Sequence, residues 1–353
     1  MEYIWFMVSA ILVILAGNRL SAHGDSLAAH TKLGHGLVGG ILIASVTSLP
    51  ELASSISAAM IGAPDIAFGN VYGSNAFNLM ILAIVDLFQG KGSLLQIVRD
   101  SHILTAMFGI LLTGISMLAI WITPYEVFNI TIGWVSGYSI LIMLLYLFSA
   151  FLMVRYEEKT RVRLPEEPKI ETEKDQDLEL PDFTSDKHQA VQGKNAFKKA
   201  VKGFIFSGIV IVAAGILLSV NADVIARNTG LGQTFVGTLL VAGATSLPEL
   251  VAAIAAIRIG AYDMAVGNVL GSNIFNILIL VVTDMAYMSG SVYQVVSMQH
   301  ILTAGTAMIL SSIAVIGLFY RSKRTILTLG WDTVAILIGY VTMMFALFKI
   351  SVK

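Results

Sequence analysis

Residues 47–52 read Thr-Ser-Leu-Pro-Glu-Leu, and residues 245–250 repeat them letter for letter. Glu51 and Glu249 sit inside apolar runs long enough to be membrane helices, where a carboxylate costs about 3 kcal/mol on insertion scales. One reading of such a residue is a protonated carboxyl hydrogen-bonded between helices; the other is two carboxylates converging near the midplane to hold a cation. Repetition at matched depth favours the second. Pro50 and Pro248 add to it, since proline has no N–H and clashes with the preceding turn. The carbonyls around Val46 and Thr47, and around Ala244 and Thr245, then lose their helical partners and become available as ligands.

Four-residue spacing puts Thr47 and Glu51 on one helix face, and Ser74 and Asn78 on one face of the next. Asn70, Ser74 and Asn78 form a polar stripe with Asn268, Ser272 and Asn276 as its second copy. Gly69, Gly73, Gly267 and Gly271 are spaced to let helix backbones approach closely, which would bring the stripes to the glutamates. Hydrogen bonding between helices is one use for the stripe, and neutral oxygen ligation is the other. Every donor in the set is a hard oxygen. Six to eight such ligands suit Ca2+, and Na+ is similar in size, whereas zinc and copper sites use thiolate or imidazole.

These residues need elements to hold them, and the composition says which. The chain has 353 residues, 56% of them hydrophobic and 13% charged, with a mean hydropathy of +0.80. A soluble protein of this size has no core large enough for that much apolar side chain, so an all-α membrane protein is expected. Apolar spans of about 20 residues fall at 3–17, 37–61, 65–88, 101–121, 127–154, 201–220, 234–257, 264–283, 300–319 and 326–349. The first is read as a span and not as a signal peptide, because Glu2 replaces a basic leader and the segment has a counterpart later in the chain. A net charge of −1 and the lack of any basic block give no sign of nucleic-acid binding, and zero cysteines exclude disulfides and thiol chemistry. No cofactor and no obligate protein partner are implied; the lipid bilayer is.

An offset of 198 residues aligns the two halves without a gap from residue 16 to residue 106, through His-Ile-Leu-Thr-Ala at His102 and again at His300. After a one-residue slip, Gly133-Trp134 matches Gly330-Trp331. Five spans per half is an odd number, so the second repeat enters from the opposite side and the halves are inverted, as in secondary transporters. The expected organisation is a five-helix repeat over 1–154, a cytoplasmic linker over 155–199 and an inverted repeat over 200–353. Arg19, Lys32, Lys91, Arg99, Arg258, Arg321, Lys323 and Arg324 gather on one face of this arrangement, and Arg227, Lys349 and Lys353 fall on the other. By the positive-inside rule the first face is cytoplasmic and both termini are extracytoplasmic. Within the linker, Asp175, Asp177 and Glu179 lack the turn glycine and final glutamate of a calcium loop and read as solvated chain. Asp65, Asp263, Asp86 and Asp284 fall near helix ends, where capping or solvent exposure is expected. His102 and His300 lie at helix starts, and their intrinsic pKa suggests a pH-sensing role.

With Thr-Ser-Leu-Pro-Glu-Leu followed by Gly-Asn-Val-x-Gly-Ser-Asn-x-Phe-Asn in both halves, the chain resembles the calcium/cation antiporter superfamily, which includes the sodium/calcium exchangers. The resemblance spans nearly the whole chain and implies antiport, with no enzymatic activity. It implies that Glu51 and Glu249 bind Ca2+ together with the backbone oxygens of Thr47 and Thr245. It implies Na+ sites that use the same glutamates with Ser48, Ser246, Ser74, Ser272 and the backbone oxygens of Ala44 and Ala242. Asn78 and Asn276 would complete the central position. Many prokaryotic members carry aspartate at one of those last two places; asparagine at both, as in animal sodium/calcium exchangers, bears on proton and potassium dependence and not on exchange itself. The expected activity is Ca2+ exchange for Na+, with Ca2+/H+ antiport as the alternative and a passive channel as a rival class. No HExxH motif or P-loop supports a hydrolase or a pump. The large sensing domains of animal exchangers are missing from the central loop. A prokaryotic plasma membrane is the expected location.

Overall fold

Lipid offers no hydrogen-bond partner, so an apolar chain closes its backbone bonds within helices. The computed structural model describes residues 1–30, 44–89, 93–125, 130–163, 186–258, 260–321, 325–326 and 329–352, and for 20–22, 24–30, 157–158, 160–163, 186–199 and 325–326 the backbone alone. The first half holds α1 (Glu2–His30), α2 (Leu49–Met60), α3 (Pro64–Gln89), α4 (Ser101–Ile122) and α5 (Gly137–Arg163). In the second half come α6 (Asp186–Thr229), α7 (Gln233–Thr245), α8 (Leu247–Arg258), α9 (Tyr262–Ala286), α10 (His300–Tyr320) and α11 (Trp331–Ser351). Among the described residues eight helices are long and apolar enough to cross a membrane, and α7 with α8, bent by 41° at Ser246, forms a ninth span. The span expected at 37–61 is described only as helix at 44–47, a turn at Ser48 and α2, because 31–43 lie outside the described residues. So do the acidic run at Asp175, Asp177 and Glu179 and the loop cations Lys32, Lys91, Lys323 and Arg324.

Two predicted spans start too early. Helix α5 begins at Gly137 and not near 127, and α11 at Trp331 and not at 326, because each is preceded by a two-residue antiparallel hairpin: β1 (Thr131–Ile132) with β2 (Val135–Ser136), and β3 (Thr325–Ile326) with β4 (Leu329–Gly330). These hairpins also correct the alignment of the halves. Gly133, at φ +66°, lies with Trp134 in the turn between β1 and β2, whereas Gly330 ends β4 and Trp331 starts α11. The structural counterpart of Gly330 is Ser136: the backbone N–H of Ser136 donates to Asp284 at 2.7 Å and that of Gly330 to Asp86 at 3.3 Å. Ser139 and Thr333 repeat the relation through their hydroxyls, 2.7 and 2.6 Å from the same carboxylates. The offset has dropped from 198 to 194 because α10 stops abruptly at a left-handed Arg321 (φ 47°), while α4 continues as a 3-10 turn (Thr123–Tyr125).

Reciprocal contacts of this kind are what a two-fold axis produces. The axis passes between α3 and α9, which bury 72% and 78% of their membrane segments, against 22–44% for the other single-helix spans. The halves do not form separate cores. Buried α3 residues such as Leu79, Leu82 and Val85 share a cluster with Leu310, Ala314, Ile336 and Met343 of α10 and α11, while Ile277 and Leu280 of α9 pack with Leu112 and Ile120 of α4. Outer helices turn Ile4, Phe206, Ile209 and Phe345 outward, each more than half exposed, which suits a lipid-facing surface.

The four acids near helix ends tie the frame together. Asp86 also accepts from Leu94 N–H at 2.6 Å and Asp284 from Val292 N–H at 2.9 Å, so each fixes a 3-10 turn and a hairpin at once. Asp65 holds Ser297 N–H and His300 Nε2 at 2.7 and 2.9 Å, and Asp263 holds Arg99 N–H and His102 Nε2 at 2.8 and 2.9 Å, every bond joining one half to the other.

The glycine contact between halves is close. A Cβ on Gly73 would stand 2.5 Å from Thr238 O and 2.7 Å from Thr238 Cα, both backbone atoms that cannot rotate away. Gly73→Ala is therefore expected to destabilise the fold by about 1–3 kcal/mol, read as a lower melting temperature in detergent. Gly109→Ala, whose added methyl meets only Ile274 at 3.7 Å, should melt as the natural protein does.

Candidate ion site

The chain breaks at each Leu-Pro-Glu. Proline at the second position of α2 and of α8 tolerates the missing N–H there, and Ser48 and Ser246 occupy the kink before each helix. The breaks leave Glu51 and Glu249 in the first turn of a new helix, where unpaired N–H groups favour a negative charge. Both carboxylates are completely buried. Each reaches across to the break of the other half: Ser246 Oγ donates to Glu51 Oε1 at 2.8 Å and Ser48 Oγ to Glu249 Oε1 at 3.3 Å. The second oxygen of each, Oε2, has no partner.

Asparagines of the stripe hold the breaks in place. Thr245 Oγ1 donates to Asn70 Oδ1 at 3.0 Å, and Thr47 Oγ1 to Asn268 Oδ1 at 3.3 Å. Asn70 also donates to the Glu51 carbonyl at 3.2 Å and to Ser55 at 3.0 Å. Asn268 Nδ2 has no partner, since the position matching Ser55 is Ala253. On the stripes, Ser74 Oγ, Asn78 Oδ1 and Asn276 Oδ1 are buried without a partner, and Ser272 Oγ has only Thr47 Oγ1 at 3.5 Å. An unpaired buried acceptor is normally avoided because it costs about 1–3 kcal/mol. Here five such oxygens come from Glu51, Glu249, Ser74, Asn78 and Asn276, on the helix starts and stripes that the bonds across the axis hold together.

The structure thus brings the predicted residues together across the two-fold axis. Glu51, Glu249, Ser48, Ser246, Thr47, Thr245, Ser74, Ser272, Asn78, Asn276, Ala44 and Ala242 are each at most 1% exposed. The last two differ from the rest. Ala44 O already accepts from Ser48 N–H at 3.0 Å, and Ala242 O from Ser246 N–H at 3.0 Å. The threonine hydroxyls are likewise committed to Asn268 and Asn70, leaving carbonyl oxygens as what Thr47 and Thr245 have to offer. Sequence reasoning named neither Asn75 nor Asn273, which bond across the axis between these elements. Their signal was present in the doubled Gly-Ser-Asn, one residue after Ser74 and Ser272. His102 and His300 stand apart from the centre, held by Asp263 and Asp65.

A helical membrane protein with two inverted halves, a broken helix in its second half, a matching Leu-Pro-Glu start to α2 and a shared buried polar centre has the build of a secondary transporter. The chain belongs to the sodium/calcium exchanger protein family, whose sequence profile matches residues 1–155 and 199–349. It is 25% identical over 355 residues to the sodium/calcium exchanger MaX1 of Methanosarcina acetivorans, covering 99% of each chain. Its fold is similar to that of the H+/Ca2+ exchanger CAX (TM-score 0.68, 15% identity, 99% of this chain and 85% of that one). It is also similar to that of the sodium-calcium exchanger NCX_Mj (TM-score 0.60, 19% identity, 98% of each).

Two carboxylates sharing one buried centre repel when nothing lies between them. Glu51→Gln removes half of that charge, so the cation-free protein is expected to melt several degrees higher than the natural one in chelator. The rise in melting temperature on adding Ca2+ should shrink in the same variant. A Ca2+-induced rise as large as in the natural protein would show that Glu51 does not sense the ion.

Proposed function

We propose that this protein is a secondary antiporter that exchanges Ca2+ for Na+ by alternating access to a single site between its halves. The observation that carries the reading is the cluster of unpartnered buried oxygens, two of them carboxylate. A bound cation would satisfy such a set, and its hard oxygens suit Ca2+ and Na+. Glu51 and Glu249 take the ion's charge, with Ser74, Ser272, Asn78, Asn276 and the carbonyls of Thr47 and Thr245 completing its shell. Ser48 and Ser246 hold the carboxylates and join the ligands when Na+ is bound. Ala44 and Ala242 contribute their carbonyls only where the turns that now use them loosen.

One Ca2+ or more than one Na+ neutralises the same pair of charges, so the two ions compete and cannot both fill the site. An empty site leaves unscreened repulsion in a low-dielectric interior, which opposes occlusion and so prevents uncoupled return of the carrier. Competition together with that penalty is sufficient for antiport. The organisation proposed is a repeat over 1–154, a cytoplasmic linker over 155–199 and an inverted repeat over 200–353, in a prokaryotic plasma membrane with both termini outside.

Ca2+/H+ exchange is the second reading, favoured by the higher TM-score to the H+/Ca2+ exchanger CAX. Against it, residues 78 and 276 are both asparagine, so the two glutamates are the only groups among the proposed ligands that can carry a proton. Purified protein in liposomes should take up radiolabelled Ca2+ when an outward Na+ gradient is imposed, and Glu51→Gln or Glu249→Gln should abolish uptake while leaving folded protein. Uptake driven equally by an outward proton gradient and indifferent to Na+ would replace this reading with the second.

A further inference from the structure

Asn75 and Asn273 meet at the two-fold axis, 2% and 5% exposed. Asn75 Nδ2 donates to the Asn273 backbone carbonyl at 3.2 Å, and Asn273 Nδ2 to the Asn75 carbonyl at 3.3 Å. A carbonyl accepts and never donates, so these bonds fix which end of each carboxamide is nitrogen. The oxygen ends must therefore face the next donors. Asn78 Nδ2 donates to Asn273 Oδ1 at 3.0 Å, and Asn276 Nδ2 to Asn75 Oδ1 at 3.0 Å. With their nitrogens taken, Asn78 and Asn276 are left with Oδ1 free and buried, and both oxygens lack a partner.

We propose that Asn75 and Asn273 are positioning residues that lock the carboxamides of Asn276 and Asn78 with oxygen toward the ion, and thereby set the site's affinity for Ca2+. The proposal rests on Glu51 and Glu249 being the ion's ligands. Without the lock a carboxamide is free to turn its NH2 group inward, which replaces a ligand by a donor that repels a cation. The same geometry explains why asparagine stands at both 78 and 276. A carboxylate there has no hydrogen to donate and would place its oxygen against Asn273 or Asn75 Oδ1, about 3 Å away by the present donor distances. Asparagine and lock form one consistent set.

The test is a double-substitution cycle in the full-length protein in liposomes, reading the apparent KM for radiolabelled Ca2+ and, in detergent, the Ca2+-induced rise in melting temperature. Asn273→Leu removes the lock on Asn78 and should raise the apparent KM by about tenfold, the scale of one lost hydrogen-bond preference. Asn78→Asp alone should also weaken binding, because its carboxylate faces Asn273 Oδ1. Asn273→Leu with Asn78→Asp should bind Ca2+ within about threefold of the natural protein, since a carboxylate presents oxygen whichever way it turns; two weakening changes would then partly cancel. A merely structural role lowers the yield and maximal rate and gives no such recovery. The cycle Asn75→Ser, Asn276→Asp and their combination asks the same question on the other side of the axis with a smaller side chain, should Asn273→Leu not fold. An unchanged KM in the lock variants, or a double variant no better than the single, overturns the proposal. Glu51→Gln measured alongside separates the two readings: if it keeps Ca2+ binding, the ion site itself is misplaced, whereas if it loses binding and the cycle shows no recovery, only the orienting role falls.

Discussion

Two carboxylates enclosed at the centre of a membrane protein, each half satisfied by the opposite half, are the constraint around which this structure is arranged. Ser246 and Ser48 bond one oxygen of each glutamate across the two-fold axis and leave the other oxygen without a partner. Such an arrangement costs stability, so the surrounding parts must hold it. The proline breaks place each glutamate at a helix start, the Asn70 and Asn268 bonds to Thr245 and Thr47 keep the breaks apart, and the glycine contacts bring α3 within reach of α7.

Exchange of partners between halves extends well beyond the site. Asp86, Asp284, Asp65 and Asp263 each accept bonds from the half to which they do not belong, and the cores of α3 and α9 are completed by helices of the opposite repeat. Neither repeat therefore has a finished core of its own. The symmetry is also incomplete in places with chemical meaning. Tyr72, Ser116 and Tyr293 form a buried hydroxyl chain at 2.6 and 3.4 Å, while the matching positions are Leu270, Ala314 and Leu95. Asn70 finds Ser55, whereas the position matching Ser55 in the second half is Ala253. The two sides of the site thus share a backbone plan but differ in polarity.

Much of this was legible in the residues. Glu51 and Glu249 stood out because a carboxylate in an apolar run is expensive, and Pro50 and Pro248 because they interrupt a helix. Ser74 and Asn78 followed from four-residue spacing. The hairpins before α5 and α11 were not legible: strands of two residues carry no periodicity, and their sequences are as apolar as the helices they precede. Gly133-Trp134 and Gly330-Trp331 look alike in sequence and occupy different positions, because the loop leading to the second hairpin is four residues shorter. Asn75 and Asn273 escaped notice for a different reason. They lie beside the stripe rather than on it, and only a partner from the other half gives them a role.

The sequence by itself determined that this is a membrane-spanning chain of helices written twice, with one break and one carboxylate per copy, since apolar length, proline chemistry and the charge of glutamate are properties of single residues and their near neighbours. Tertiary structure alone decided which oxygens are left without partners, that the carbonyls of Ala44 and Ala242 are already used, and which way the carboxamides of Asn78 and Asn276 point. Those outcomes depend on atoms some 200 residues apart along the chain coming within hydrogen-bond distance, and no local pattern encodes the direction of such a bond.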